Sequence, residues 1–325
     1  MKRPKVYVTR NIPKTIEILR EFCDLTIHNK AKAPSKQEMI RKIRDKDALL
    51  CVLSDNVDNE VIASASNLKV ISSYSVGYDH IDIDAATKHG VYVAYTPEVL
   101  TETTADLAFA LMLTVARRVV EADRLIRTGK WKSIWSYDFM LGSDVHGKNL
   151  GIIGMGRIGS ALARRANGFK MRVSYHNRSR LSIDKERELN VEYRELDDLL
   201  KESDFVSIHV SLGKDTYHLM NEQKFRLMKS TTCLINTSRG QVVDEKALVK
   251  ALRRKWIAGA ALDVFEKEPV PKDSPLLKFD NVVLVPHIGS ASKETRERMA
   301  EVAAINILNV FKGEKPLYAV NPEVQ

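Results

Sequence analysis

Short runs of β-branched and other apolar residues alternate along the chain with longer stretches in which apolar residues recur every three or four positions. The short runs are typical of buried strands, and the longer stretches of amphipathic helices. The first third of the chain carries five predicted strands, at residues 5–9, 25–28, 48–53, 70–75 and 91–95. Strands that alternate with helices in this way favour an open, parallel α/β sheet.

A long helical stretch follows, from about residue 101 to residue 128, which threonines open and Gly129 closes. Its most apolar part, residues 107–116, is far shorter than the roughly 20 residues that a membrane span needs. We therefore expect a buried helix that links two domains, and no membrane partner.

A second α/β series comes after this helix, with six predicted strands at residues 149–154, 172–175, 205–210, 232–237, 259–264 and 282–286. Six strands in this order suit a dinucleotide-binding domain. The last amphipathic stretch, residues 292–311, is expected to return to the first domain. The predicted fold class is therefore α/β, with two Rossmann-like or flavodoxin-like parallel-sheet domains and a cleft between them.

The length and composition agree with a globular protein of two domains. The 325 residues are 44% hydrophobic and 29% charged, which is ordinary globular usage. The net charge of +9 comes from Lys and Arg scattered among 42 acidic residues, so we expect no nucleic-acid partner. Three cysteines in apolar stretches and no apolar leader predict reduced thiols and a cytoplasmic location.

A glycine-rich turn lies between the predicted strand at 149–154 and a helical stretch. The turn consists of Gly154, Met155, Gly156, Arg157, Ile158 and Gly159. A GxGxxG pattern is weak evidence alone, but between a strand and a helix each glycine has a purpose: a tight turn, close approach of a pyrophosphate, and close packing of helix on strand. The helix N-terminus would then face the phosphates with free amides. This segment predicts dinucleotide binding.

The segment after the next predicted strand indicates which dinucleotide is preferred. An NAD enzyme usually places a carboxylate there for the ribose 2′-hydroxyl. This chain instead has Asn177, Arg178, Ser179 and Arg180. The two arginines could bind a 2′-phosphate, with the neutral side chains as further donors. We expect a preference for NADPH, with NADH possible, although loop arginines are often merely solvated.

The second series also contains three candidate catalytic residues, each of which follows one of its later strands. They are Arg239, Glu268 and His287. The carboxyl ends of parallel strands share one edge of a sheet, where open α/β folds bind ligands. A guanidinium can bind a substrate carboxylate in two hydrogen bonds, and a histidine beside a carboxylate can donate a proton near neutral pH. Each also has an ordinary explanation: a surface ion pair, a solvated acid and a strand cap. No metal site is expected.

Together these motifs resemble the D-2-hydroxyacid dehydrogenases, and most closely the glyoxylate/hydroxypyruvate reductases among them. The resemblance covers essentially the whole chain and rests on four ordered motifs, at residues 154–159, 236–240, 262–269 and 286–290. It implies reduction of glyoxylate, hydroxypyruvate or a related short 2-oxo acid to the D-2-hydroxy acid by an NAD(P)H hydride. In that chemistry Arg239 binds the carboxylate, His287 is the acid/base, and Glu268 tunes the histidine.

The resemblance implies further contacts. The loop at residues 75–79 would line the substrate pocket, with substrate contacts from Leu53, Val76 and Gly77. Additional cofactor contacts would come from Thr104, Thr237, Ser238, Asp263 and Gly289. Trp135 would reach the pocket of a partner subunit, although the loop at residues 132–138 is shorter than the family pattern. Together with the apolar helix near residues 104–120, this favours a homodimer.

The family architecture makes residues 1–98 plus 290–325 a substrate-binding domain and residues 99–289 the dinucleotide-binding domain. Phosphoglycerate dehydrogenases of this fold usually carry an extra regulatory domain, whereas this sequence stops soon after the final helix. Formate dehydrogenases place glutamine where Glu268 stands. A corepressor-like protein that senses NAD(H) through the same fold remains an alternative, because such proteins keep the three candidate residues.

Overall fold

The computed structural model describes residues 3–30, 32–132 and 134–324. The chain divides into two compact units. The first consists of Met1–Leu100 with Ser290–Gln325, and the second of Thr101–Gly289. Each unit is an α/β body built on its own parallel sheet.

The first unit contains five short strands in the order β2-β1-β3-β4-β5, and all neighbouring pairs are parallel. All four residues of β3 and of β4 are buried. Burial on both faces makes β3 continuously apolar, whereas β4 ends in two buried serines. The strands are β1 (Lys5–Val8), β2 (Asp24–Ile27), β3 (Ala48–Cys51), β4 (Val70–Ser73) and β5 (Tyr92–Ala94). The helices between them are α1 (Pro13–Arg20), α2 (Lys36–Ile43), α3 (Asn59–Ala63) and α4 (Ile83–Lys88).

The second unit contains seven parallel strands in the order β12-β11-β10-β9-β6-β7-β8. Its strands are β6 (Asn149–Ile153), β7 (Arg172–His176), β8 (Val191–Tyr193), β9 (Phe205–Ile208), β10 (Cys233–Asn236), β11 (Gly259–Leu262) and β12 (Val282–Leu284). Its helices are α5 (Thr101–Ala116), α6 (Val119–Arg127), α7 (Arg157–Gly168), α8 (Ile183–Leu189), α9 (Leu196–Glu202), α10 (Glu222–Leu227) and α11 (Glu245–Arg253). One apolar cluster lies under α5 and α7 and another under α9 to α11, so both sheet faces are covered.

The final helix, α12 (Lys293–Phe311), returns to the first unit as the sequence predicts. The buried hydroxyl of Thr15 donates to the carbonyl of Ala300 at 2.9 Å, and that of Ser72 donates to the carbonyl of Ala303 at 2.9 Å. These bonds attach the helix backbone to α1 and β4.

Two expectations about the elements are wrong. The predicted helix at 101–128 is two helices, because Arg118 is left-handed with φ of 54° between α5 and α6. The second sheet has seven strands rather than six, since the half-buried strand β8 carries too little apolar pattern to be recognised. Across the part of the chain that the structure describes, every helix is too short or too polar to cross a membrane.

Candidate active site

The glycine-rich turn connects β6 to α7 and is shaped by steric contact. Gly154 has φ of +101°, and a Cβ there would lie 2.7 Å from the carbonyl carbon of His209. A Cβ on Gly159 would lie 2.2 Å from the carbonyl oxygen of Gly154. By contrast, a Cβ on Gly156 would meet nothing within 4 Å. The turn is thus closed toward the sheet and open on its outer side, where a ligand can approach the backbone.

This turn lies at the place where a dinucleotide would fit. β6 and β9 are adjacent, and the strand order changes direction between them, which makes this the switch point of the sheet. Helix α7 begins at Arg157 and its N-cap, Gly156, has no side chain with which to cap the first amides. The buried hydroxyl of Thr237 has no hydrogen-bond partner among the described residues. A helix start without a side-chain cap suits the pyrophosphate of a dinucleotide.

The segment after β7 contains two arginines, of which Arg180 is paired with a carboxylate of the protein and Arg178 is not. The Asn177 side-chain oxygen accepts the N–H of Met155 at 2.7 Å, which ties this segment to the glycine-rich turn. Arg180 donates two hydrogen bonds of 2.8 Å to Glu186. The exposed Arg178 has no partner among the residues that the structure describes.

Glu186 is a carboxylate near this segment that the sequence did not reveal. Hydrogen bonds from Arg180 and from the Tyr175 hydroxyl hold the pKa of Glu186 at about 2, so the acid is ionised and paired. It lies on α8, and only the fold brings it back to the end of β7. The pair reduces the positive charge that Arg180 offers to a ligand.

The three candidate catalytic residues come together at the carboxyl edge of the second sheet. His287 Nδ1 lies 2.8 Å from Glu268 Oε2, and Glu268 Oε1 accepts the N–H of Phe265 at 3.0 Å. Burial opposes ionisation of Glu268, but the hydrogen bond from His287 and the charges of His287 and Arg239 lower its pKa below the usual value. An ionised Glu268 can only accept, so Nδ1 of His287 carries the donated hydrogen and Nε2 is left to face a ligand.

His287 is held in an uncommon backbone conformation, with φ of 54°. Its N–H donates to the carbonyl of Asp263 at 2.9 Å. The Asp263 carboxylate accepts the next two amides, those of Ile288 at 2.6 Å and Gly289 at 2.8 Å. Asp263 is only 1% exposed, and this burial raises its pKa. The buried aspartate therefore fixes the turn that aims the histidine.

Of the predicted cofactor residues, Gly289 belongs to the same turn and Thr104 of α5 contacts it. The Thr104 hydroxyl donates to the carbonyl of Gly289 at 3.1 Å, and a Cβ on Gly289 would lie 3.2 Å from Asp263 Oδ2. Since both oxygens of Asp263 accept backbone amides, its local geometry indicates a role in holding the turn. Its predicted contact with the cofactor stays a prediction.

Arg239 follows β10 in a turn that Asn236 organises. The Asn236 side chain accepts the N–H of Ser238 at 3.0 Å and donates to the carbonyl of Arg239 at 3.0 Å. One guanidinium nitrogen of Arg239 donates to the carbonyl of Ser238 at 2.9 Å. The side chain is half-buried and contributes positive charge at Glu268.

The predicted substrate contacts Leu53, Val76 and Gly77 belong to the first unit. Leu53 is 39% exposed and follows β3, while the other two lie in the loop after β4. The Ser75 hydroxyl donates to the carbonyl of Gly77 at 2.6 Å, which gives this loop a defined turn. Leu53 and this loop therefore stand at the carboxyl ends of adjacent strands.

Trp135 lies in an irregular and strongly apolar surface segment. Its side chain is 78% exposed. The exposed apolar side chains between α6 and β6 also include Trp131, Ile134, Tyr137, Phe139 and Leu141. An apolar surface of this extent is typical of an interaction site rather than of a solvated loop.

Comparisons with known proteins identify relatives that match nearly the whole chain. The family model described as "D-isomer specific 2-hydroxyacid dehydrogenase, NAD binding domain" matches residues 109–289. A glyoxylate reductase from Thermofilum pendens is 56% identical over all of this chain and 96% of its own length. Among solved structures, the TT0316 protein from Thermus thermophilus has a TM-score of 0.91 at 45% identity, covering 97% of this chain and 99% of that chain.

A second solved structure is an NADPH-dependent glyoxylate/hydroxypyruvate reductase from Sinorhizobium meliloti, in complex with NADP and malonate. It has a TM-score of 0.89 at 31% identity, and the match covers 99% of this chain and 98% of that chain.

Proposed function

Because the chain belongs to the D-isomer-specific 2-hydroxyacid dehydrogenase family, we propose that it reduces glyoxylate, hydroxypyruvate or a related short 2-oxo acid to the D-2-hydroxy acid with NAD(P)H. The observation that carries the proposal is the 2.8 Å contact between Glu268 and His287, beside the positive charge of Arg239. A carbonyl reduction of an acid needs this combination of a proton donor and a carboxylate anchor.

A bound nicotinamide supplies the hydride that reduces the carbonyl carbon. The guanidinium of Arg239 binds the substrate carboxylate and draws electron density from the adjacent carbonyl. His287 donates the proton from Nε2 to the oxygen on which negative charge develops. Glu268 accepts the Nδ1 hydrogen, orients the ring and stabilises its protonated form. The buried Asp263 keeps the histidine backbone in place.

The proposal includes the remaining predicted contacts. The cofactor contacts are assigned to Thr104, to Gly154 through Gly159, to Thr237 and Ser238, and to Gly289. In the first unit, the amides of Val76 and Gly77 are assigned to the substrate carboxylate. Leu53 is assigned to limit the size of the substituent that the substrate carries on its carbonyl carbon. Support for these comes from the family resemblance and from the fixed turn at Gly77.

The direct test is a panel of glyoxylate, hydroxypyruvate, pyruvate and bulkier 2-oxo acids with NADPH and with NADH. We expect oxidation of the reduced nicotinamide with the shortest acids and formation of D-glycerate from hydroxypyruvate. An Arg239→Ala preparation serves as the control for contaminating reductases. Binding of nicotinamide without turnover of any acid would instead favour a sensing protein of the same fold.

Glu268→Gln is expected to change the pH dependence of the reaction. Reduction needs a protonated His287, and the anion that stabilises this protonated ring is lost in the variant. The interaction with His287 lowers the pKa of Glu268, and its loss should move the alkaline limb of the kcat profile for reduction to lower pH. Rates measured across the neutral range for wild type and variant test this, and superimposable profiles would contradict the pairing.

We propose that NADPH is preferred over NADH. Support comes from the exposed and uncommitted Arg178, from the lack of a carboxylate at residues 176–180, and from the NADP bound to the Sinorhizobium relative. Arg180 contributes less than Arg178, because it is paired with Glu186.

Arg178→Ala is expected to weaken the binding of NADPH about tenfold and to leave the affinity for NADH nearly unchanged. A charge-assisted hydrogen bond contributes about 1.5–3 kcal/mol, and solvent exposure places this one at the low end. Dissociation constants for both cofactors at two salt concentrations measure the effect, with NADH as the internal control. Equal losses for both cofactors would remove this role from Arg178.

The matched variant Asn177→Asp keeps the oxygen that accepts the Met155 amide. It adds a charge that repels a 2′-phosphate and can accept a ribose hydroxyl. We expect the preference to move toward NADH.

We propose a homodimer that covers the exposed apolar segment around Trp135. A monomer would expose six large apolar side chains between residues 131 and 141. Sedimentation should give twice the 36.7 kDa of the chain, and Trp135→Asp should weaken the association. A wild-type species of 36.7 kDa at micromolar concentration would contradict the proposal.

A further inference from the structure

A polar cluster outside the set of reacting groups joins the segments that carry Arg239 and Glu268. His218 Nε2 lies 2.9 Å from Glu266 Oε1, and the same oxygen accepts the N–H of Glu245 at 3.0 Å. In return, the N–H of Glu266 donates to Glu245 Oε1 at 2.7 Å. The Gln241 side chain donates to the carbonyl of Glu266 at 3.1 Å. Three separate segments of chain thus meet at Glu266.

The two catalytic segments are in direct backbone contact at this cluster. A Cβ on Gly240 would lie 1.8 Å from the carbonyl carbon of Phe265, so these two stretches of backbone are already touching. Arg239 immediately precedes Gly240. On the other side, the N–H of Phe265 donates to the Glu268 carboxylate at 3.0 Å. A movement of the 265–268 turn therefore moves the carboxylate that orients His287.

His218 is itself fixed from several sides. Its φ is 50°, a conformation uncommon outside glycine, and its N–H donates to the carbonyl of Gln241 at 2.8 Å. The Tyr217 ring stacks on the imidazole with centroids 4.1 Å apart. The ring is therefore directed at Glu266 rather than free to rotate.

Three carboxylates, those of Asp244, Glu245 and Glu266, are crowded together in this cluster. A ring nitrogen of His218 and one carboxylate oxygen each of Asp244 and Glu266 all lie within 4.8 Å of one another. Burial, reinforced by the charge of Glu266, raises the pKa of Glu245. The Asp244 carboxylate is occupied as the N-cap of α11, where it accepts two amides. A hydrogen bond from the His218 ring to Glu266 offsets part of this crowding of carboxylates.

We propose that His218 and Glu266 are positioning residues that hold the 265–268 turn against the 239–245 segment and so set Glu268 relative to Arg239. The inference rests on the proposed function for its kinetic consequence. It assigns neither residue a contact with substrate or cofactor.

Two substitutions at Glu266 separate positioning from general stability. Glu266→Ala removes the acceptor for both His218 and Glu245, and we expect kcat for the best 2-oxo acid to fall about 10- to 100-fold, because misplacement by about 1 Å costs up to that much. The KM for NADPH should change less than twofold. Glu266→Gln keeps an oxygen in the same place and should retain at least a third of wild-type kcat.

Glu222→Ala is the matched control. Glu222 accepts from Arg226 at 2.9 Å and from Lys250 at 2.7 Å on the surface of the same unit. Its loss removes a comparable set of polar contacts without touching either catalytic segment, so kcat should stay at the wild-type value. His218→Ala should reproduce the Glu266→Ala defect in the same direction.

A second measurement needs no substrate. The ring ¹⁵N and ¹³C NMR signals of His287, assigned with His287→Gln, report whether Glu268 still accepts its Nδ1 hydrogen. In Glu266→Ala they should move toward their positions in Glu268→Gln, and in Glu222→Ala they should not move. Wild-type His287 signals in Glu266→Ala would overturn the inference, as would equal kinetic losses in Glu266→Ala and Glu266→Gln.

Failure of the proposed function has a different signature. A wild-type chain that turns over no 2-oxo acid would defeat that proposal, while the NMR comparison would still decide whether Glu266 positions Glu268.

Discussion

Arg239→Ala is expected to lower kcat/KM for glyoxylate by about 10²- to 10⁴-fold. Two charge-assisted hydrogen bonds to the substrate carboxylate are lost, each of about 1.5–3 kcal/mol, and every 1.36 kcal/mol corresponds to tenfold. KM should rise together with the fall in kcat, because the guanidinium acts on the bound substrate and on the transition state. The measurement is a full saturation curve with each 2-oxo acid at fixed NADPH.

His287→Ala provides the contrast, since it removes the proton donor and leaves the carboxylate anchor. Its kcat should collapse while KM changes much less. Arg239→Lys keeps the charge but not the planar fork, so its kcat/KM should lie between wild type and Arg239→Ala. NADPH dissociation constants within twofold of wild type would show that the cofactor site is intact. An Arg239→Ala or His287→Ala enzyme with wild-type kcat/KM would refute the mechanism.

The positions of these candidate catalytic residues could be predicted because each follows a strand of one parallel sheet. Parallel strands end at a common edge, so sequence order alone brings Arg239, Glu268 and His287 to the same side. The structure adds what order cannot provide, namely that Glu268 Oε2 and His287 Nδ1 meet at 2.8 Å. The glycine-rich turn was equally visible, since its steric demands admit few other residues.

Features that depend on polar contacts between distant segments could not be predicted in the same way. Glu186 neutralises Arg180 only because α8 packs beside β7, and Glu266 meets His218 across 48 positions of sequence. The helix break at Arg118 is marked by no proline or glycine at that position. Hydrophobic periodicity predicts which face of an element is buried. It does not predict which polar side chains of distant segments will form a pair.

Gly240→Ala is expected to be among the most damaging single-methyl changes in the second unit. The added Cβ would lie 1.8 Å from the carbonyl carbon of Phe265, 2.0 Å from its oxygen and 2.3 Å from the nitrogen of Glu266. These are backbone atoms, so no side-chain rotation can relieve the overlap, and one of the two segments must move. Overpacking of this kind costs about 3 kcal/mol, which corresponds to a fall in Tm of about 10 °C for a unit of this size.

The same displacement separates the segment that carries Arg239 from the turn that carries Glu268, so the folded fraction of Gly240→Ala should also lose at least tenfold in kcat. Gly168→Ala is the matched control: this glycine ends α7, and a Cβ there would meet nothing within 4 Å. Replacing a helical glycine with alanine should leave Tm unchanged or raise it slightly, with wild-type kcat. Thermal unfolding by circular dichroism and steady-state kinetics on both variants test the pair. A Gly240→Ala variant that melted within about 2 °C of wild type would contradict the close contact between Gly240 and the backbone of Phe265. The packing argument for both Arg239 and Glu266 would then fall with it.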